Sequence, residues 1–431
     1  MDKMITLWKF NDVLSLSYKI DSVSIVFLIA IVVLFACSGV YSIYYMKEKE
    51  NLRRYYIVYM LLFFVLCAMS CAGNLFTFYL NYELMTLTSA PLVMHEQTIE
   101  ARLAGFKYLI YSLMGAYCVL FGFYTLNKYC VSLDFTYGGT LNLSLVQDHK
   151  GLVLTAVFLM ILGFGVKAGM WPFHSWLTSA HPIAVSPASA VLSGVIVKAG
   201  AVGIIRVVFY LAGKDFIEGT WVKMAWMVLI LLTILMGSTL AFFEPVLKKR
   251  LAYSTISQVS YILFGLVTMT DVAYKGAMLQ FIAHAFAKCA LFLMAGLMIK
   301  ISGSVYVKDL KGIGRKYPLL LWCFTICSLS MIGIPPTGGF IAKWYLIEGS
   351  LNSNYYNFPW SGPMFLLLSA LLTAGYLLPI VLRGFFPGEE FEDNNIEKIK
   401  IPAYVYVSII VLTVMAVIVG ICPGIFVGGE M

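Results

Sequence analysis

The sequence predicts an all-α polytopic membrane bundle of about twelve transmembrane helices. Three observations predict it. Hydrophobic residues make up 61% of the 431 and charged residues only 12%, where a soluble domain holds about 25% charged residues. Mean hydropathy is +0.86. Apolar runs long enough to cross a bilayer recur along the chain, with no polar region long enough to fold separately. Residues 1–431 therefore read as a single transmembrane domain.

With about 20 apolar residues per span, the spans fall near 21–45, 55–74, 75–95, 104–126, 151–180, 186–212, 221–243, 250–270, 276–300, 318–350, 362–384 and 402–426. The chain is polar through Tyr18-Lys19, and the first apolar stretch is long enough to stay in the membrane, unlike a cleaved leader. Two spans are too long and contain helix breakers. One, 151–180, holds Gly163, Gly165, Gly169 and Pro172; the other, 318–350, holds Gly333, Pro335-Pro336 and Gly338-Gly339. Lys167 precedes Pro172 by five residues, and Lys343 follows Pro336 by seven. A helix broken at membrane depth frees backbone groups that only a wet or protein-lined interior tolerates. A charge beside each break points to an ion site, as in repeat-built transporters. The plainer alternative is a pair of kinks that only improve packing.

Net charge is +8, and its distribution follows loop bias, not nucleic-acid binding. Alternate loops carry Lys47, Lys49, Arg53, Arg54; Arg102; Lys248, Lys249, Arg250; Lys300, Lys308, Lys311, Arg315, Lys316; and Arg383, Lys398, Lys400. The other side carries about half as many: Lys3, Lys9, Lys19, Lys128, Lys150, Lys214 and Lys275. The first set is expected to be cytoplasmic, and an even span count then puts both termini outside the cell inner membrane. The nine cysteines form no Cys-x-x-Cys pair; Cys67/Cys71 and Cys323/Cys327 read as small packing residues. No nucleotide loop, haem motif or catalytic triad is present, so no cofactor or metal is expected, and any redox chemistry belongs to another subunit.

A Lys at the bilayer centre costs roughly 2.5–3.5 kcal/mol to insert, so intramembrane charges are the candidate functional residues. Glu83, in FTFYLNYELMTL, is far from any loop charge. Next to Lys167 it would stay ionised and hold a proton on the lysine until the two separate; the alternative is a static ion pair. Lys198 lies among Ser193, Gly194, Ala199, Gly200 and Gly203, which leaves room for water or close helix contact. His284 and Lys288 share a helix face at i, i+4; the imidazole switches near neutral pH. A satisfied core histidine and a lysine paired with a carbonyl are the alternatives there. His174 and His181 are seven apart with no nearby acid or cysteine, which fits a channel mouth or a helix end better than zinc. Arg206, Glu244 and Glu348 lie near span ends, where interfacial solvation is expected.

Five stretches, GFGVKAGMWPFHSWL, AHPIAVSPASAVLSGVIVKAGAVGIIR, KKRLAYSTISQVSY, FIAHAFAKCALFLMAG and GIPPTGGFIAKW, resemble, in order, the proton-conducting antiporter-like family. That family comprises the large membrane subunits of complex I, the Mrp-type Na⁺/H⁺ antiporter subunits and the membrane arms of energy-converting hydrogenases. The resemblance covers about residue 20 onward. It implies two inverted five-helix repeats, each with a broken helix, and a hydrated polar axis. Glu83 matches the family glutamate, Lys167 the lysine of the first broken helix, and Lys198 the lysine of the helix after it. His284 matches the His of the His-x-x-x-Lys helix, and Lys343 the terminal charge of the second broken helix. Glu83 and Lys167 would then form the first coupled pair, and Lys343 would deliver the proton to one side.

The chain departs from the family pattern. Its first span resembles the third of about fourteen, as if two N-terminal helices were absent and a small separate subunit took their place. WLTSAHPIAVSP lacks the Pro and Asp usual after Trp-Leu and has Val185 where Pro is common. No long lateral helix follows the last span. The resemblance implies an H⁺-translocating, possibly Na⁺-translocating, subunit of a redox-driven complex, with homologous antiporter-like subunits and the lipid bilayer as partners. SPASAVLSGV and the short N-terminus point to an energy-converting hydrogenase or ferredoxin-linked reductase; the alternatives are an Mrp-type antiporter subunit and an inactive scaffold.

Overall fold

The computed structural model describes residues 4–11, 14–353, 359–388 and 399–427. Lys3 and Lys398, counted above in the loop charges, lie outside them.

The helices are α1 (Ser22–Tyr45), α2 (Leu52–Ser70), α3 (Leu75–Val93), α4 (Ile99–Tyr129) and α5 (Lys150–Ala168), followed by α6 (Ser175–Ile183) and α7 (Ser186–Ala212). Then come α8 (Trp221–Phe243), α9 (Leu247–Thr268), α10 (Asp271–Ser302), α11 (Pro318–Ile332), α12 (Gly338–Leu351), α13 (Ser361–Phe385) and α14 (Ala403–Ile421). Short polar residues set several starts. Asp21 accepts from Ser24 N at 2.9 Å, Asn74 from Thr77 N at 2.8 Å and Thr98 from Ala101 N at 3.1 Å, each satisfying an amide that an N-terminus leaves without an intrahelical partner.

Among the described residues ten helices are long and apolar enough to cross a membrane. α3, more polar because it carries Asn81, Glu83 and several hydroxyls, adds one, and α11 with α12 form another from two short halves. These make up the twelve spans expected. One departure from an all-helical chain precedes them. Strand β1 (Ile5–Lys9) pairs antiparallel with β2 (Ser15–Tyr18), and this hairpin docks on the α2–α3 turn through Lys19 N to Cys71 O (2.8 Å) and Gly73 N to Ser17 O (2.8 Å).

Both expected breaks are present and end alike. Gly169 has φ +76° and Gly333 φ +94°, backbone positions that a side chain disfavours. Around them the packing repeats. In α2–α7 and again in α8–α13 the first two spans pack together, the third packs on the broken helix, and the fifth packs on its other side. Each unit has five spans with the fourth broken. Five is odd, so the second unit enters the membrane from the face opposite the first. Small residues let the third and fourth spans close up. Gly115 and Gly163 face each other so tightly that a Cβ on either would strike the other's backbone, the contact small residues allow in lipid.

The loops sort into two surfaces, joined by their own bonds. On one, Lys300 pairs with Glu48 (3.0 Å), Lys49 with Glu96 (2.9 Å), and Leu247 N bonds Val305 O (2.9 Å). On the other, Lys214 pairs with Asp271 (3.2 Å) and Thr140 N bonds Leu211 O (2.8 Å). The Lys/Arg-rich loops gather on the first. Between the surfaces, α7, α9 and α10 are enclosed: 100%, 94% and 94% of their apolar windows are buried, against 28% for α2. The buried polar groups of those three helices face protein, not lipid.

Candidate ion pathway

Lys167, Lys198 and Lys288 are 1%, 0% and 0% exposed, and Lys343 7%. None reaches lipid, and every one is held by neutral acceptors. Lys167, one residue before α5 ends, donates to Thr86 Oγ1 (2.9 Å), Tyr108 OH (2.9 Å) and Ser112 Oγ (2.8 Å). Its Nζ lies 4.4 Å from the Tyr108 ring centroid, a cation–π contact. Ser89 extends the cage through Tyr108 OH at 2.6 Å. The direct Glu83–Lys167 ion pair expected from the sequence is not formed. Three hydroxyls on α3 and α4 take all three ammonium hydrogens. Glu83, half-buried beside the exposed Leu80, Leu84 and Leu87, keeps Oε1 buried without a partner. The two charges still act on each other.

Lys198 donates to Ser193 O at 2.8 Å, five residues back on its own helix. The reason is local. α7 widens to i→i+5 bonding over Leu192–Ile196, a bulge that recurs at functional sites, and the Ser193 carbonyl turns toward the lysine. Lys288 donates to Leu251 O (2.9 Å) and Ser254 Oγ (2.7 Å). Lys343 follows its break and folds back on the last turn of α11, donating to Met331 O and Ile332 O, both at 2.6 Å. The two breaks thus differ. In the first, the freed Val166 carbonyl accepts the Trp176 indole at 2.8 Å and Lys167 points away; in the second, the lysine itself caps the freed carbonyls.

Residues the sequence reading gave no part in the pathway link these lysines. Ser193 Oγ and Thr255 Oγ1 are 2.8 Å apart, and Thr255 donates to the Leu251 carbonyl that also accepts from Lys288. Gln258 donates to Met331 O (3.2 Å), the carbonyl shared with Lys343, and accepts from Gln280 (2.9 Å). Gln280 precedes His284 by one helical turn. Both His284 ring nitrogens and Gln280 Oε1 are buried without partners, so the short stretch from Gln280 to His284 is unbridged by direct bonds. The connecting groups form a stripe on α9: Leu251, Ser254, Thr255 and Gln258. Serine, threonine and glutamine at three- and four-residue spacing in AYSTISQVSY was the available signal.

Two further expectations change. Arg206 is not solvated at an interface; it is 1% exposed and forms a bidentate pair with Asp21, with rings of Phe135 and Tyr210 at 4.9 and 4.7 Å. Lys248, counted with the loop charges, is buried and bound to Ala184 O at 3.0 Å. Glu348 is exposed and Glu244 pairs with Lys249 at 2.8 Å.

Buried lysines in a twelve-span bundle fit an ion-translocating membrane subunit. The chain belongs to the family described as NADH:quinone oxidoreductase/Mrp antiporter, transmembrane, which residues 72–373 match; residues 10–56 match the N-terminus of complex I chain 5. NADH-quinone oxidoreductase subunit N of Desulforudis audaxviator (strain MP104C) is 30% identical over 378 residues, covering 85% of this chain and 74% of that protein. Hydrogenase-4 component B of Escherichia coli (strain K12) is 28% identical over 432 residues, 94% of this chain and 62% of that protein. A chain of the Mrp complex from Dietzia sp. DQ12-45-1b superposes with a TM-score of 0.83 at 20% identity, over 98% of this chain and 85% of that one. The protein is an antiporter-like membrane subunit of the kind found in complex I-related or Mrp complexes.

Proposed function

We propose that this subunit moves protons along Glu83, Lys167, Lys198, His284, Lys288 and Lys343, within a redox-driven complex related to complex I. The observation that carries the reading is the shared anchoring of the buried lysines: Lys288 and Thr255 share Leu251 O, Thr255 meets Ser193, whose carbonyl holds Lys198, and Lys343 shares Met331 O with Gln258, which accepts from Gln280. Lysines on neutral acceptors are positioned without being pinned by a permanent counter-charge. One unit charge crossing 100 mV is worth about 2.3 kcal/mol, so modest changes in each lysine's surroundings suffice to move a proton uphill.

Within that class we favour an energy-converting hydrogenase or ferredoxin-linked reductase. SPASAVLSGV and the likeness to hydrogenase-4 component B along most of this chain support it. The second reading is an Mrp-type cation/proton antiporter subunit, with Na⁺ as the coupled ion; the family description names the Mrp antiporter. Homologous antiporter-like subunits are the proposed partners. The Lys/Arg-rich surface is proposed to face the cytoplasm across the inner membrane. Mass spectrometry of copurifying subunits decides between the readings: iron–sulfur or hydrogenase-like subunits support the first, small antiporter subunits without them the second.

A further inference from the structure

His181 has no role in the pathway above, yet it is wholly buried with both ring nitrogens unpartnered. Its ring stacks on Phe292, centroids 4.6 Å apart at 21°, and Phe292 lies one helical turn beyond Lys288 on α10. On its other side, the carbonyl of Ala184, one turn after His181, accepts from Lys248 Nζ at 3.0 Å. Ser189 Oγ ties the two together by donating to His181 O (3.0 Å) and Ala184 O (3.2 Å). The charges acting on His181 are Lys288, Lys248 and Lys198; those acting on Lys248 are Glu96 and Lys49. A pocket of about 350 Å³ on the Lys/Arg-rich surface is lined by Glu48, Lys49, Glu50, His95 and Glu96, and two of these, Lys49 and Glu96, are the charges that act on Lys248. A fully buried imidazole with two open nitrogens thus stands between a loop-side lysine and the central lysines.

We propose that Lys248 and His181 form a proton inlet from this loop pocket to Lys288 and Lys198. The Lys248 ammonium gives a proton, over intervening water, to one neutral ring nitrogen of His181, leaving an amine and an imidazolium. The imidazolium releases the proton from its other nitrogen, over intervening water, to the amine of Lys288 or Lys198. Lys248 is reloaded from water in the pocket. Charge is conserved at each transfer; the imidazole returns neutral in its opposite tautomer, which exchange with the same waters resets before the next proton.

The inlet rests on the reading of the chain as a proton translocator, and the test separates the two. The assembled complex is reconstituted in vesicles and initial proton flux under an imposed membrane potential is followed with an internal pH dye. His181→Phe keeps the stacking on Phe292 without a titratable nitrogen. Lys248→Met leaves Ala184 O with its Ser189 donor. Each is expected to slow flux roughly tenfold or more, general acid–base steps contributing at least that. His181→Ala opens a ring-sized space, and added imidazole is expected to restore part of its flux but none of that of Lys248→Met. Wild-type flux in His181→Phe, or no rescue of His181→Ala by imidazole, overturns the inlet; should His181→Phe fail to assemble, the imidazole rescue decides. If Lys167→Ala also conducts normally, the translocator reading itself has failed; if Lys167→Ala is blocked while His181→Phe conducts, only the inlet has.

Discussion

The Gln280 carboxamide donates to that of Gln258 at 2.9 Å, and this bond joins α10, which carries His284 and Lys288, to the carbonyl that holds Lys343. Gln258→Leu removes it and leaves a buried polar atom on Gln280, a penalty of about 1–3 kcal/mol. Expected is a complex that assembles, unfolds at a lower temperature, and loses most flux between Lys288 and Lys343. Dye-monitored flux in vesicles checks it; unchanged flux would mean that the path bypasses the glutamine pair.

Lys167→Ala and Glu83→Ala are each expected to lose most coupled pumping with assembly intact. The first removes the proton carrier. The second removes the one carboxylate whose charge acts on that lysine. Ion uptake driven by the native redox partner is the measurement. Near-normal uptake with Lys167→Ala would make that lysine structural.

Lys343 and Lys167 should differ in what their loss does to stability. Lys343→Met strips Ile332 O of the donor the lysine gives it, again about 1–3 kcal/mol. Lys167→Met leaves Tyr108 bonded to Ser89 and Thr86 to Tyr82 O. The expected order of thermal midpoints in detergent is wild type, then Lys167→Met, then Lys343→Met. The reverse order would contradict the capping role of Lys343.

Asp21, just ahead of the α1 span, is held below the usual carboxylate range: burial pushes it up, but the bond to and charge of Arg206 outweigh this. A depressed acid stabilises the fold fully above its unfolded value, about 3.9, and that contribution is lost as pH falls through the folded value. Asp21→Ala strands Arg206 and is expected to cost about 3–5 kcal/mol, whereas Asp21→Leu with Arg206→Leu costs far less. Unfolding midpoints at neutral and acid pH measure both effects. Acid sensitivity as strong in the double variant as in wild type would assign it elsewhere.

The spans and breaks were legible in the sequence because lipid leaves the backbone few choices: apolar length marks a helix, and glycine with proline marks its interruption. The burial of Lys167, Lys198, His284, Lys288 and Lys343 was legible for a related reason, as ionisable groups are rare at membrane depth. Their partners were not. A serine on α7 or a glutamine on α9 is polar without being costly, and which carbonyl Lys198 or Lys343 finds depends on a widened turn and a broken one that composition does not encode. Lys248 and Arg206 were misplaced because distance along the chain from a loop says little about depth once neighbouring helices close over the side chain. The hairpin at Ile5–Lys9 carries alternation too short to stand out from its surroundings.

The neutral seats of Lys198, Lys288 and Lys343 have a consequence for traffic. Among the described residues no carboxylate bonds these lysines to offset an arriving proton, so each occupied lysine repels the next. Two unit charges about 10 Å apart, at an effective dielectric of about 20, repel by about 1.7 kcal/mol. Protons on such a line behave as a queue: an arrival at one end lowers the barrier to departure at the other, and the line favours passing its cargo on over accumulating it.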